Sequence, residues 1–317
     1  MRTALAISLE SPDRSHTRLA LAALFAGAIA IGSSPILIRL SELQPTATAF
    51  WRVALATPIF FLVARCGEKP ANEDCRSAQS ASWRDLAGPI IAGVFLALDL
   101  FCLHRSVLYT TVVNSILFLN LAPLFVVMFA WLLYQEPIKP GFLVGMAISI
   151  AGTAALVGKH DQVGSNALLG DVLGVGAGAF YGGYLFAVAR CRQRLSTANI
   201  MAWSAGSCAV VLFFVTLAAH ESLLCTTLSG VLVLVGLAVI THAGGQGLIA
   251  YALKLLPASS SSATLMIQPI VATFGAWVCF GETIGPWQVA GAIFILIGIL
   301  ACRAAVTADA APADQQS

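Results

Sequence analysis

Pro123-Leu-Phe-Val-Val-Met-Phe-Ala-Trp-Leu-Leu-Tyr-Gln-Glu136 returns 146 residues later as Pro269-Ile-Val-Ala-Thr-Phe-Gly-Ala-Trp-Val-Cys-Phe-Gly-Glu282. Proline, alanine, tryptophan and glutamate keep their places, and the register holds through Ile138/Ile284, Pro140/Pro286, Gly145/Gly291, Gly152/Gly298 and Ala155/Ala301 without a gap. A duplicated apolar unit of this size is the sequence sign of a protein built from two structural repeats.

The composition sets the solvent. Hydrophobic residues make up 58% of the 317 residues and charged residues 10%, against about 25% charged in a soluble domain. So little charge cannot keep a surface wetted, and the apolar stretches approach the roughly 20 residues that span a bilayer as a helix. The net charge of +2 is too small to mark a nucleic-acid partner. The eight cysteines contain no CxxC pair, so neither a zinc site nor a disulfide framework is indicated, and they read as small core residues. No secretory signal is expected at the start, because Ala4–Leu9 is too short and Glu10, Asp13 and Arg14 follow it.

Apolar windows at 19–40, 45–64, 86–104, 110–134, 140–158, 168–189, 198–218, 229–253, 258–280 and 286–302 predict ten transmembrane helices in an all-α integral membrane fold. With both termini cytoplasmic, 13 of the 17 Lys and Arg fall on the inner side, three (Arg39, Arg105, Lys159) on the outer side, and Arg52 within a span. That asymmetry supports the count and orientation. The expected organisation is a cytoplasmic tail at 1–18, a first five-helix repeat at 19–158, a second at 168–302 and a disordered cytoplasmic tail at 303–317. Because five is odd, the second repeat enters the bilayer from the opposite side. The two repeats are therefore inverted. Arg39 aligns with Arg190, and Trp51 with Trp203, across the weaker first helices.

Asn120-Leu-Ala-Pro-Leu-Phe125 through Trp131 and Glu136, its copy from Gln268-Pro-Ile-Val271 through Glu282, and the phrases Ala97-Leu-Asp-Leu100 and Gly245-Gln-Gly-Leu-Ile-Ala-Tyr251 resemble the drug/metabolite transporter superfamily, in particular its EamA-type members. The resemblance covers residues 19–302. It implies a ten-helix fold with a central cavity that opens alternately to either side, and export or exchange of a small organic metabolite or amphipathic drug. It leaves the solute and any proton coupling open.

Charges inside hydrocarbon are costly and invite a functional reading. Asp99 and Arg52 fall about seven residues below the outer ends of the third and second helices, about 10 Å deep. They are expected to line the outer part of a cavity, with a structural ion pair as the plainer alternative. His242 and Gln246 lie one turn apart on the eighth helix. Ser261, Thr264 and Gln268 follow one side of the ninth, and Asn114 and Asn120 share the fourth. All are candidate cavity residues. Pro123 and Pro269 sit mid-span and are expected to kink their helices and serve as hinges. The stripe Gly170, Gly174, Gly178 and Gly182 reads as a packing seam, as do Tyr181 and Tyr184 beside it. Glu136 and Glu282 read as solvated caps.

Enzyme motifs fail. Gly152–Lys159 lacks the phosphate-loop spacing, and no HExxH occurs. The expectation is a non-enzyme with no metal and no cofactor, with proton coupling through Asp99 or His242 left open. Expected partners are a small-molecule substrate and the lipid bilayer, with homodimers allowed and no nucleic acid. The expected location is a plasma (inner) membrane. A lipid-modifying membrane enzyme and a non-transporting subunit are the alternatives.

Overall fold

The computed structural model describes residues 14–66, 83–135, 140–156, 166–192, 195–255 and 267–307. Its regular elements are helices throughout: α1 (Arg14–Gly32), α2 (Ser34–Leu40), α3 (Pro45–Cys66), α4 (Trp83–Tyr109), α5 (Val112–Leu119), α6 (Ala122–Tyr134), α7 (Pro140–Leu156), α8 (Ala167–Cys191), α9 (Thr197–Ala218), α10 (Leu228–Gly236), a π-helical stretch Leu237–Gly245, α11 (Gln246–Leu255), α12 (Ile267–Phe280) and α13 (Pro286–Thr307). Seven described segments are long and apolar enough to cross a bilayer, and Pro140–Gly152, Gln268–Phe280 and Val289–Cys302 are shorter apolar helices. Leucine, valine, isoleucine and phenylalanine point outward from nearly every helix, which suits a lipid solvent rather than water.

Three expected helices are interrupted. The first span breaks at Ser33, whose hydroxyl donates to Ala30 O at 2.8 Å, and α2 restarts with Pro35 in its first turn. The fourth breaks at Asn120–Leu121, where Pro123 opens α6. Proline at the head of a helix forfeits no bond that the helix would have made. The expected kink at Pro123 is thus a full break into two helices. The eighth widens into the π-helical turn around Thr241-His242-Ala243-Gly244-Gly245. Such wide turns are commonly found at functional sites. Pro269 lies two residues into α12, so the hinge expected there falls at the edge of the described residues.

The packing repeats the duplication. Spans equivalent by the repeat pack on each other: α3 on α9, α5 on α12, and α7 on α13. The others pair crosswise, α4 on α8 as α1 on α11, and α5 and α6 on α8 as α1 and α2 on α12. Exchanging the two halves leaves this pattern unchanged. Gly145 backs onto Gly298, and Gly152 onto Gly291, so α7 and α13 cross antiparallel. Gln135 (φ 55°) and Gly281 (φ 66°), also equivalent, end α6 and α12 in the same left-handed conformation.

The glycine stripe of α8 meets backbone of the α4–α5 connection, α5 and α6, at Thr110 N, Phe118 O and Ala122 O, as a small-residue seam should. Cysteines depart from the core reading in part: Cys102, Cys208 and Cys302 are buried, but Cys66 and Cys279 are exposed.

Candidate functional site

The spans enclose a narrow central cavity of about 40 Å³ whose lining includes Ser34, Arg52, Asp99, Tyr181, His242, Gln246 and Gln268. A second, wider compartment of about 270 Å³ shares Leu119, Tyr181, Gln246 and Gln268 with it. This compartment continues past Asn120, Pro123 and Tyr184 to Arg192 and Thr197, where α8 hands over to α9. The two form one path from the middle of the bundle toward the Arg192 end.

Local structure explains why these side chains point inward. The broken first and fourth spans bring Pro35 and Leu119 against the narrow chamber, and the π-helical turn delivers His242 to the wall shared with Gln246. Phe60 meets the His242 ring edge-on at 5.8 Å and fixes its plane. Arg52 and Asp99 are 4% and 3% exposed. Nε and Nη1 of Arg52, Oδ1 of Asp99 and Nδ1 of His242 have no hydrogen-bond partner within the protein. The ion pairs found among the described residues lie elsewhere. A buried charge costs several kcal/mol, which Arg52 and Asp99 offset in part by attracting each other across the chamber.

Asp99 and Arg52 line the narrow chamber and not the wider compartment. Helix α4 runs on to Tyr109, five residues past the apolar window, so Asp99 lies ten residues, about 15 Å, below its end. It thereby joins His242, Gln246 and Gln268 around one chamber. The helix can extend because Arg105 is accommodated, its guanidinium lying 4.7 Å above the Phe101 ring and bonding Glu221.

Asn114 does not line the chamber. It is fully buried between α5 and α8, where its amide approaches Asp171 Oδ1 at 3.5 Å and Thr110 Oγ1 donates to the same oxygen at 2.8 Å. A spacing of six from Asn120 already placed the two off one face. Asn120 does reach the wider compartment, with its amide turned back to Ile116 O at 2.8 Å. Ser261, Thr264 and Glu136 lie outside the described residues. Tyr181 and Tyr184, read as packing, are stacked at 5.9 Å, and both line the wider compartment.

Ion pairs tie the helices together at the Arg39 end. Arg39 forms an ion pair with Glu282 and donates from Nε to Val107 O at 2.9 Å and from Nη2 to Thr110 O at 2.7 Å. The same Glu282 oxygen accepts from Val112 N at 3.4 Å. One clasp thus ties α2, the α4–α5 connection and the end of α12. Glu282 is therefore a partly buried ion-pair partner with a 13% exposed side chain, not a solvated cap. A second clasp joins Arg105 to Glu221 at 3.0 Å, while Glu221 accepts from Thr46 Oγ1 at 2.9 Å and Ala47 N at 2.8 Å at the head of α3. A carboxylate is favoured at that helix terminus. A third holds Glu42 to Thr226 and Thr227. No motif in the chain announces these partners, which lie more than 100 residues apart.

The profile of the EamA-like transporter family matches residues 18–158 and again 168–303. An uncharacterized transporter from Archaeoglobus fulgidus is 30% identical over 167 residues, which is 51% of this chain and 52% of the relative. The chain thus spans about half the length of the curated relative it matches. A solved crystal structure of a protein superposes with a TM-score of 0.59 over 93% of this chain and 97% of that one, at 16% identity. That likeness concerns the fold.

Proposed function

We propose that this chain, which belongs to the EamA-like transporter family, is a secondary transporter that exports or exchanges a small organic solute by alternating access. The family makes it a multi-pass membrane transporter. The finer reading is a bundle of ten spans in two inverted repeats, with both termini cytoplasmic in a plasma (inner) membrane and the Arg39 end facing outward.

One observation carries the reading: a chamber holding buried charges is closed at one end by a set of ion-pair clasps and runs out toward the other. A pore would be open at both ends. The antiparallel crossing of repeat-equivalent helices α7 and α13 supports the inversion, since a two-fold axis lying in the membrane plane reverses helix direction. The charge asymmetry of the loops supports the orientation. Proton coupling through Asp99 or His242 belongs to the same reading, since both line the chamber. A lipid-modifying enzyme would gather its ionisable groups near one headgroup plane, whereas here they meet deep in the bundle.

Reconstitution into liposomes tests this. Vesicles carrying the protein should accumulate or exchange at least one labelled solute from a panel of amino acids, nucleosides and cationic drugs, in a saturable manner that Asp99→Asn abolishes. Equal uptake by empty and loaded vesicles across the panel would overturn it.

A further inference from the structure

Building on the transporter reading above, we propose that His104 lines the outward half of the transport path, a stretch that is collapsed and dry in this structure and takes up water when the clasps at the Arg39 end release.

Position comes first. His104 stands on α4 one helical turn beyond Leu100, toward the end whose carbonyls Arg39 holds. It therefore shares a helix face with a residue of the chamber wall, although it lines neither compartment itself. The next residue, Arg105, holds Glu221 at 3.0 Å, and Glu221 holds Thr46 and Ala47 at the head of α3. His104 thus occupies the level between the chamber and this clasp. The groups that act on its ring are the Pro45 carbonyl and Arg52 of α3 and His242 of the π-helical turn. Arg52 and His242 both border the chamber.

Burial comes second. The imidazole is fully buried, and neither Nδ1 nor Nε2 completes a hydrogen bond. A polar group shut away in this manner loses the bonds that water gave it. Packing alone gives no reason for histidine here, since a leucine would fill the space without that penalty. A route that opens to water does give one, because the ring is then unmet only while the route is shut.

The neighbouring atoms divide in the same way. Nε of Arg105 and Oε2 of Glu282 in the clasps, and Oγ of Ser34 on the chamber wall, are also buried without a partner. None of the residues lining the wider compartment carries such an atom. Unmet groups therefore collect between the chamber and the clasps, where the path is shut, and not where it runs out. Their penalty weighs on the closed arrangement alone and favours its release.

The test is solvent access in a cysteine-free background, read with an impermeant maleimide added to the Arg39 side of sealed vesicles. His104→Cys should label at least about tenfold faster once Arg105→Ala or Glu221→Gln breaks the clasp, the low end for losing one charge-assisted bond. With Ser34→Cys as reporter, His104→Leu should label at least about tenfold more slowly than the His104 parent, because the closed arrangement no longer carries the unmet ring. His104→Gln, which stays polar, should keep the parent rate. In detergent, His104→Leu should melt no lower than the parent, whereas a histidine that merely packs would lose stability and leave the labelling rate alone. An unchanged Ser34→Cys rate in folded His104→Leu, or a His104→Cys that stays unreactive with the clasp broken, overturns the proposal. Opening at His104 without transport of any solute would overturn the transporter reading alone. Transport with His104 never accessible would overturn this proposal alone.

Discussion

Gly145 and Gly298 face each other so closely that a methyl group on Gly145 would lie 2.6 Å from the Gly298 carbonyl oxygen. Gly152 stands in the same relation to Gly291, at 2.8 Å. The repeat carries Gly145 onto Gly291 and Gly152 onto Gly298, so each contact is the image of the other. Without side chains the backbones of α7 and α13 meet directly, which matters in lipid, where apolar side chains gain little by leaving the solvent.

Gly145→Leu should therefore destabilise the protein by about 1–3 kcal/mol, the usual cost of overpacking a tight contact. Gly247→Ala is the control, because a Cβ there meets nothing within 4 Å. It should be neutral or stabilising by up to about 1 kcal/mol through helix propensity. Thermal unfolding of the two variants in the same detergent checks both, and equal melting temperatures would refute the contact argument.

The Arg39–Glu282 clasp should govern access from its end of the bundle. Arg39→Ala leaves Glu282 without its cation and frees the Val107 and Thr110 carbonyls. Loss of charge-assisted bonds of this kind is worth about 1.5–3 kcal/mol, or roughly a tenfold to hundredfold shift in opening. In a cysteine-free background, Ser34→Cys places a reporter on the central chamber. An impermeant maleimide added from the Arg39 side should label it at least tenfold faster once Arg39 is removed.

Strong acidification should loosen the Glu42 contact. The Thr227 hydroxyl, and after it the Thr226 amide, donate to this carboxylate and hold its pKa below the ordinary glutamate value. A depressed folded pKa means the stabilisation is complete above the unfolded value and disappears as pH falls through the folded one. Amide exchange at Thr226 and Thr227 should thus accelerate only below the ordinary glutamate range. In Glu42→Gln the rate should vary with pH only as intrinsic exchange does.

Asp99 and Asn114 should part company. Both are buried polar residues on neighbouring spans, but Asp99 borders the chamber and Asn114 bonds Asp171 away from it. Asp99→Asn should abolish transport at normal protein level. Asn114→Ala should destabilise the protein by about 1–3 kcal/mol for a buried partner left unmet, seen as a lower melting temperature, with transport per folded molecule preserved. Loss of transport in both at equal folding would show that the chamber boundary is drawn wrongly.

The duplication, the apolar spans and the deep charges Arg52 and Asp99 were all legible in the chain, because each depends on residue type and spacing along one helix. The interruptions were less so. Pro123 marked a disturbance, but whether a helix bends or divides depends on what packs beside it. The wide turn at His242 left only the pair Gly244–Gly245 as a hint.

What the amino-acid order determined by itself is the solvent, the two-fold repetition and the depth of Arg52 and Asp99, since the cost of wetting apolar surface and of burying charge is set locally. Which buried groups share a chamber, and that Arg39 holds a glutamate 243 positions away, only the tertiary structure decided. Those pairings depend on where helices cross, and packing between distant segments is a property of the whole bundle.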